Sequence, residues 1–257
     1  MTRFISDSAK YYALPRTHDA VMNTDPTISV ITVCYNSAAT LARALQSVAE
    51  QDWPKVEHIV IDGASTDRTG EIIERFHSQL AHVVSEPDQG IYDAMNKGLA
   101  CANGDIICFL NADDQYAHPQ VLSLVATQMR NHKLDALMGD VGFFHKQYPS
   151  RMVRRYRSDR FHPNQLAWGW MPAHPALFLS HTVVQRVGHF KTDYRIAGDF
   201  EYIIRAFHNQ NLRYQHLPEV LVHMQMGASA PTAGARKFCS TGKFSVPAAK
   251  MACVPIC

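Results

Sequence analysis

The stretch Asp105–Gln115, DIICFLNADDQ, decides the fold. Ile106, Ile107, Phe109 and Leu110 make a short apolar run that stops at two adjacent carboxylates, Asp113 and Asp114. A run of that length suits a strand buried on both faces of a mostly parallel sheet, and the carboxyl edge of such a sheet is where ligands bind. Two acids side by side on a short loop repel each other unless a cation or a set of donors lies between them. Their hard oxygens suit Mg²⁺ or Mn²⁺ rather than zinc or copper. A second reading stands beside this one, in which the pair merely opens the next helix, expected around residues 118–131, as cap and first-turn acids.

Working outward, Ile28–Val33 (ISVITV) reads as a buried strand, followed by CYNS, where Asn36 and Ser37 offer turn and helix-cap chemistry. Leu41, Leu45 and Val48 give a helix that Trp53-Pro54 breaks. Glu57–Ile61 is a second strand running into Asp62-Gly63-Ala64-Ser65-Thr66-Asp67, a turn whose glycine permits left-handed geometry. A helix through Ile72, Ile73, Phe76 and Leu80, a short strand over His82–Val84 and the loop SEPDQG follow. The next helix, from Ile91 to about Ala102, is expected to bury Ile91, Met95 and Leu99 and to present Asp93, Asn96 and Lys97 on another face. Beyond the opening stretch come a helix with Val121, Leu122, Val125 and Met129, and a strand over Leu137–Phe144. The basic run Arg151–Arg160 is expected as an exposed loop, His174–Ser180 as a strand and Asp199 as the start of a helix. LRYQHLPEVLVHM is expected as a strand pair or hairpin bent at Pro218. Strand and helix alternate as in a doubly wound α/β sheet, which brings the named loops to one edge.

The chain has 257 residues, 46% of them hydrophobic and 19% charged, with a net charge of +2, which suits one soluble α/β domain and makes no electrostatic case for nucleic acid. Residues 1–26 read as an arm, 27–227 as the domain, and the acid-free 228–257 as a loosely docked tail. No apolar stretch is long enough to span a bilayer, and the first residues lack the apolar core of a secretory signal, so a cytoplasmic location is expected. Of six cysteines, Cys34, Cys101 and Cys108 lie in apolar segments and read as core residues, and no CxxC pair argues for zinc.

Taken in order, CYNS, IDGASTDRT, SEPDQGIYDAMNKG and FLNADD resemble the loops of family 2 glycosyltransferases, with a fainter likeness through HPALF and GDFEY. That family has a GT-A fold, a Rossmann-like, mostly parallel sheet flanked by helices, and transfers sugar from a nucleoside diphosphate sugar. The third loop is most similar to that of bacterial members that build exopolysaccharide, O-antigen and colanic-acid-type repeats. The resemblance implies a nucleotide-sugar half over 27–140 and an acceptor-side half over 141–227. It places Tyr35 against the base, with Asn36 beside it. Asp62 would hydrogen-bond the base, with Gly63 standing where many relatives carry a second acid. Ser65, Asp88, Gly90, Asn96, Lys97 and Asn111 complete the donor side, although Lys97 has an alternative as a surface partner of Asp93. Asp113 and Asp114, with His223 as a further ligand, would hold Mn²⁺ or Mg²⁺. Asp199 would be the general base, Glu201 the alternative, and His174 an acceptor-side residue. Bland readings stay open as well: Tyr35 as a half-buried strand-end tyrosine, Ser65 as a turn and cap residue, His223 as a structural histidine, Asp199 as a helix cap and His174 as a satisfied core histidine.

The reaction so implied is an inverting transfer from a nucleoside diphosphate sugar, uridine diphosphate foremost, to a saccharide or polyprenyl-linked saccharide. A catalytically inactive nucleotide- or partner-binding module is the alternative that Asn111 keeps open. A nucleotidyltransferase is disfavoured because CYNSAAT is neither glycine-rich nor basic, and a dehydrogenase because no strand is followed by GxGxxG. Peripheral contact with the inner membrane's cytoplasmic face would use Arg151, Arg154, Arg155, Arg157 and Arg160.

Overall fold

The structure, a computed structural model, describes residues 25–145, 148–208 and 211–226. Nearly all of the expected arm and the whole of the expected tail, with Cys239, Cys253 and Cys257, lie outside the described residues.

Four parallel strands form the first half in the order β3 (His82–Ser85), β2 (Val56–Asp62), β1 (Ile28–Cys34) and β4 (Ile106–Phe109). Helices α1 (Leu41–Ala49), α2 (Thr69–Phe76) and α3 (Ile91–Cys101) connect them. Every residue of β1 and β4 is buried, as an apolar run covered on both faces requires. Alternation still assigns the faces: Ile31 and Val33 pack on the α3 side, Ile28 and Val30 on the other with α4 (Val121–Asn131). Each such side chain contributes about 1.5–3 kcal/mol by leaving water, so β1 anchors both halves of the core.

Beyond β4 the sheet becomes mixed. The strand β8 (Leu177–Ser180) pairs antiparallel with β4 and with β6 (Ala136–His145), and β6 pairs parallel with β9 (Tyr214–Met226). The short β5 (Asp114–Tyr116) closes the far edge on β9, and β7 (Tyr148–Tyr156) pairs with β6. Helices α5 (His181–Val187) and α6 (Gly198–Phe207) cover the face that carries Ile31 and Val33.

Several expectations change. The segment around Pro218 is one strand, not a hairpin, because extra residues of β9 opposite Met138–Asp140 are absorbed as a bulge that tolerates proline. The basic run is largely β7 rather than a loop, and its Arg155 turns inward to Asp140 at 2.6 Å. His174–Ala176 is a 3₁₀ turn ahead of β8. On α3, Tyr92, Ala94, Met95 and Gly98 are buried while Ile91, the first residue of the helix, is exposed. The left-handed residue of the second loop is Ala64, at φ 59°, rather than Gly63.

Gly98 marks where α3 touches β1, since a Cβ there would stand 2.4 Å from Cγ2 of Ile31. Gly98→Ala is therefore expected to cost about 1–3 kcal/mol by overpacking. Gly70→Ala, at a helical site with open space around it, is expected to stabilise by about 0.5–1 kcal/mol. Urea unfolding of both variants against the parent checks the pair.

Candidate active site

The loops after β1 and β2 are tied together through backbone donors that no strand can satisfy. The amides of Asn36, Ser37 and Ala38 donate to Ser65 Oγ, Thr69 Oγ1 and Asp67 Oδ2 at 2.8, 2.8 and 3.1 Å. In return Asn36 Oδ1 accepts from the amides of Thr66 and Asp67 at 2.9 and 3.3 Å. Asn36 thus binds the second loop instead of capping α1, whose first residue lies five positions on. The Thr69 hydroxyl and the amides of Thr69 and Ala38 hold the Asp67 carboxyl below its ordinary range.

Asp62 also departs from expectation. It is buried, and both oxygens are engaged by its own surroundings: the amide and hydroxyl of Ser65, and the hydroxyl of Ser85 at 2.7 Å. It holds the loop and does not present a free edge to the cleft. Tyr35, just beyond β1, is 63% exposed and lies beside Gly63. Asp88 accepts the Gly90 amide on Oδ1 at 2.8 Å, and Gly90, at φ 120°, starts α3 in a conformation that favours glycine. Asn96 is taken up in structure, donating to the Phe190 carbonyl at 2.9 Å and accepting the Phe190 amide at 2.7 Å. Lys97 binds the Pro87 carbonyl and Glu86, both at 2.8 Å, with Asp93 at 3.9 Å. These contacts pin the third loop to α3.

At the end of β4 the structure decides between the two readings of the acidic pair. Helix α4 starts at Val121 behind Gln120, so Asp113 and Asp114 do not cap it. Asp114 instead begins β5, and its carboxyl is buried, with Oδ1 lacking a hydrogen-bond partner. Asn111 Oδ1 is likewise buried and unpartnered. Burial raises the pKa of Asp113, and burial together with the neighbouring Asp113 charge raises that of Asp114 further. Asp113, Asp114 and His223 line one small cavity with Arg43 and Gln225. Among the described residues no three His, Cys, Asp or Glu side chains stand close enough together to enclose a metal ion. Oxygen donors with unfilled lone pairs nevertheless fit a hard divalent cation.

On the acceptor side, the N-cap of α6 is Ala197, in the left-handed region and without a side-chain cap. Asp199 is therefore not a capping residue. Its Oδ1 accepts from the Tyr92 hydroxyl at 3.5 Å, and the same hydroxyl accepts the Gly198 amide at 2.8 Å. His174 lies buried within the electrostatic reach of Asp199, its ring stacked on Phe109 with centroids 5.4 Å apart. Burial lowers its pKa while Asp199 opposes the shift. Glu201 points elsewhere: it accepts three bonds from Arg205, at 2.9, 3.0 and 2.9 Å, and one from Lys191 at 2.8 Å. Against the effect of burial, those cations lower its pKa, which makes it a structural ion-pair partner and a poor proton acceptor.

The sequence model described as "Glycosyl transferase family 2" matches residues 29–227. The chain belongs to that glycosyltransferase family. Its relatives include an uncharacterised glycosyltransferase of Mycobacterium tuberculosis, 34% identical over 193 residues that cover 72% of this chain and 70% of the relative. A PGL/p-HBAD biosynthesis glycosyltransferase of the same species is 32% identical over 198 residues, 75% of each chain. Among solved structures, S. aureus TarS 1–349 in complex with UDP-GlcNAc superposes with a TM-score of 0.65 at 22% identity, over 79% of this chain and 60% of that one. A mannosyltransferase of Pyrobaculum calidifontis in complex with GDP-Man and Mn²⁺ gives 0.59 at 21% identity, over 82% of this chain and 59% of that one. These structures share the GT-A fold, and this transferase spans less than two thirds of their length.

Sequence reasoning missed Tyr92, Ser85 and Phe190. Tyr92 carried a usable signal, since a tyrosine on the buried stripe of a helix needs a partner for its hydroxyl. Phe190, stacked on Tyr202 with centroids 4.0 Å apart, carried none, because only the tertiary packing puts it beside Asn96. In the transferase, Tyr92→Phe is expected to leave the buried Gly198 amide unsatisfied and to cost about 1–3 kcal/mol in stability. Chemical denaturation reads the loss, and an unchanged midpoint would show that the Gly198 amide finds another partner.

Proposed function

We propose that the protein is an inverting transferase moving a sugar from a nucleoside diphosphate sugar to a saccharide or polyprenyl-linked saccharide in bacterial surface glycan synthesis. Uridine diphosphate is the expected carrier, a reading supported by the TarS complex with UDP-GlcNAc, while the biosynthetic relative supports a role in glycan assembly. The observation that carries it is the environment of Asp199: a carboxylate that does not cap its helix and, among the described residues, pairs with no lysine or arginine, beside buried His174 and bonded to Tyr92. The inactive-module alternative would leave such a carboxylate without a use.

In the reaction, Asp199 takes the proton of the acceptor hydroxyl as that oxygen attacks the anomeric carbon. The bond from that carbon to the phosphate oxygen breaks, and the nucleoside diphosphate leaves with the electron pair on the opposite face, inverting the configuration. Tyr92 orients the base through its hydroxyl, and His174 lines the acceptor side. Tyr35 and the second and third loops hold the nucleoside. Mn²⁺ or Mg²⁺ would be held by Asp113, with the oxygens of Asn111 and Asp114 as further donors, and would supply neutralisation of diphosphate charge; His223, expected as a ligand, does not join the two acids in a set of three.

Among the described residues no helix is long and apolar enough to cross a membrane. We place the enzyme at the cytoplasmic face of the membrane, where exposed Met152 and Val153 on β7 stand among Arg151, Arg154 and Arg157. Arg155, committed to Asp140, takes no part.

Nucleoside diphosphate release from a panel of nucleotide sugars, with and without Mn²⁺, tests the proposal. Asp199→Asn is expected to lower transfer by about 10²–10⁴-fold with unfolding unchanged, whereas Glu201→Gln should chiefly lower thermal stability. Near-normal transfer by folded Asp199→Asn would refute the assignment of the base.

A further inference from the structure

We propose that Asp88, not the acid at the end of β2, reads the nucleobase, and that Gly63 is small in order to admit it. The proposal rests on the donor reading above. Three observations converge. A Cβ built on Gly63 would lie 2.4 Å from Asp88 Oδ2 and 3.2 Å from Asp88 Cγ, so this carboxylate occupies the space that any side chain at position 63 would need. The same Cβ would lie 3.4 Å from Cδ2 of Tyr35, so the carboxylate and the exposed aromatic ring border one slot. Gly63 does not have a positive φ, the left-handed role in its loop falling to Ala64, so the glycine's function there is room rather than conformation.

The third loop fixes how Asp88 is presented. Its Oδ1 accepts the Gly90 amide at 2.8 Å, which leaves Oδ2 directed at Gly63 and, among the described residues, without a hydrogen-bond donor. Asp62 cannot substitute, because its two oxygens already take the amide and hydroxyl of Ser65 and the hydroxyl of Ser85. An ionised carboxylate only accepts hydrogen bonds. It therefore recognises a base that presents a ring N–H, which uracil does at N3 and guanine at N1. It repels cytosine and adenine, whose corresponding ring nitrogens are acceptors. With the ring against Tyr35, the slot takes a nucleoside diphosphate with an imino N–H.

Calorimetric titration of the full chain with UDP, GDP, CDP and ADP tests the assignment. The parent is expected to bind UDP or GDP about tenfold or more tighter than CDP and ADP, the scale of one hydrogen bond to a charged group. Asp88→Asn keeps an acceptor for the Gly90 amide but can turn an amide donor toward the slot. It should weaken UDP or GDP by about 10- to 100-fold and narrow the gap to CDP. Gly63→Asp alone should lose nucleotide binding through collision with Asp88, and the exchange Gly63→Asp with Asp88→Gly should recover it. A folded Asp88→Asn that keeps the parent's preference, or a Gly63→Asp that binds normally, overturns the assignment while leaving the transferase reading intact. A parent that binds none of the four overturns both.

Discussion

Loop backbone at the top of a parallel sheet has no neighbouring strand to bond, and its amides must find partners elsewhere or remain unsatisfied. Here the first two loops supply each other. Three consecutive amides, Asn36 to Ala38, are accepted by side chains of Ser65, Asp67 and Thr69, while Asn36 returns a side-chain oxygen to Thr66 and Asp67. This exchange seats the second loop against Tyr35 and commits most of its polar atoms to structure. Asp62 belongs to the same economy, drawn inward by Ser65 and Ser85. The side chains left to meet a ligand are those the interlock does not use, and Asp88 lies among them.

A similar division of labour separates the two acids of α6. Asp199 and Glu201 are two residues apart in one helical turn, and sequence makes them near equivalents. Glu201 falls beside Arg205, one turn along the same helix face, and Lys191 reaches it from outside. Asp199 instead meets the hydroxyl of Tyr92 and the ring of His174. One carboxylate is taken up by cations, and the other meets a phenol hydroxyl and a buried imidazole.

The second half of the sheet is held by a buried charge that no part of the reaction uses. Asp140, fully buried on β6, accepts from Arg155 of β7, His216 of β9 and the amide of Ser158. An unpaired carboxylate there would carry a heavy desolvation penalty. Those partners hold its pKa down despite burial and tie three strands together around the bulge at Pro218. The same pairing removes Arg155 from the basic edge of β7.

Local pattern alone determined the elements of the first half and their order. Strands over Ile28–Cys34, Val56–Asp62 and Ile106–Phe109, the helices between them, and loops at their carboxyl ends follow from continuous apolar runs alternating with helical spacing. The motifs of those loops carry the family resemblance by themselves. Tertiary structure decided what each polar side chain faces, because hydrogen-bond partners far apart in sequence leave no local trace. Asp62 bonds Ser85 across 23 positions, Asn96 bonds Phe190 across 94, and Tyr92 reaches Asp199 across 107. Whether an acid caps a helix, holds a loop or stands free for a ligand depends on such distant partners. The second half was harder to read for the same reason, its strands being joined by antiparallel and parallel pairings whose bulge and inward-turned arginine answer to one buried aspartate.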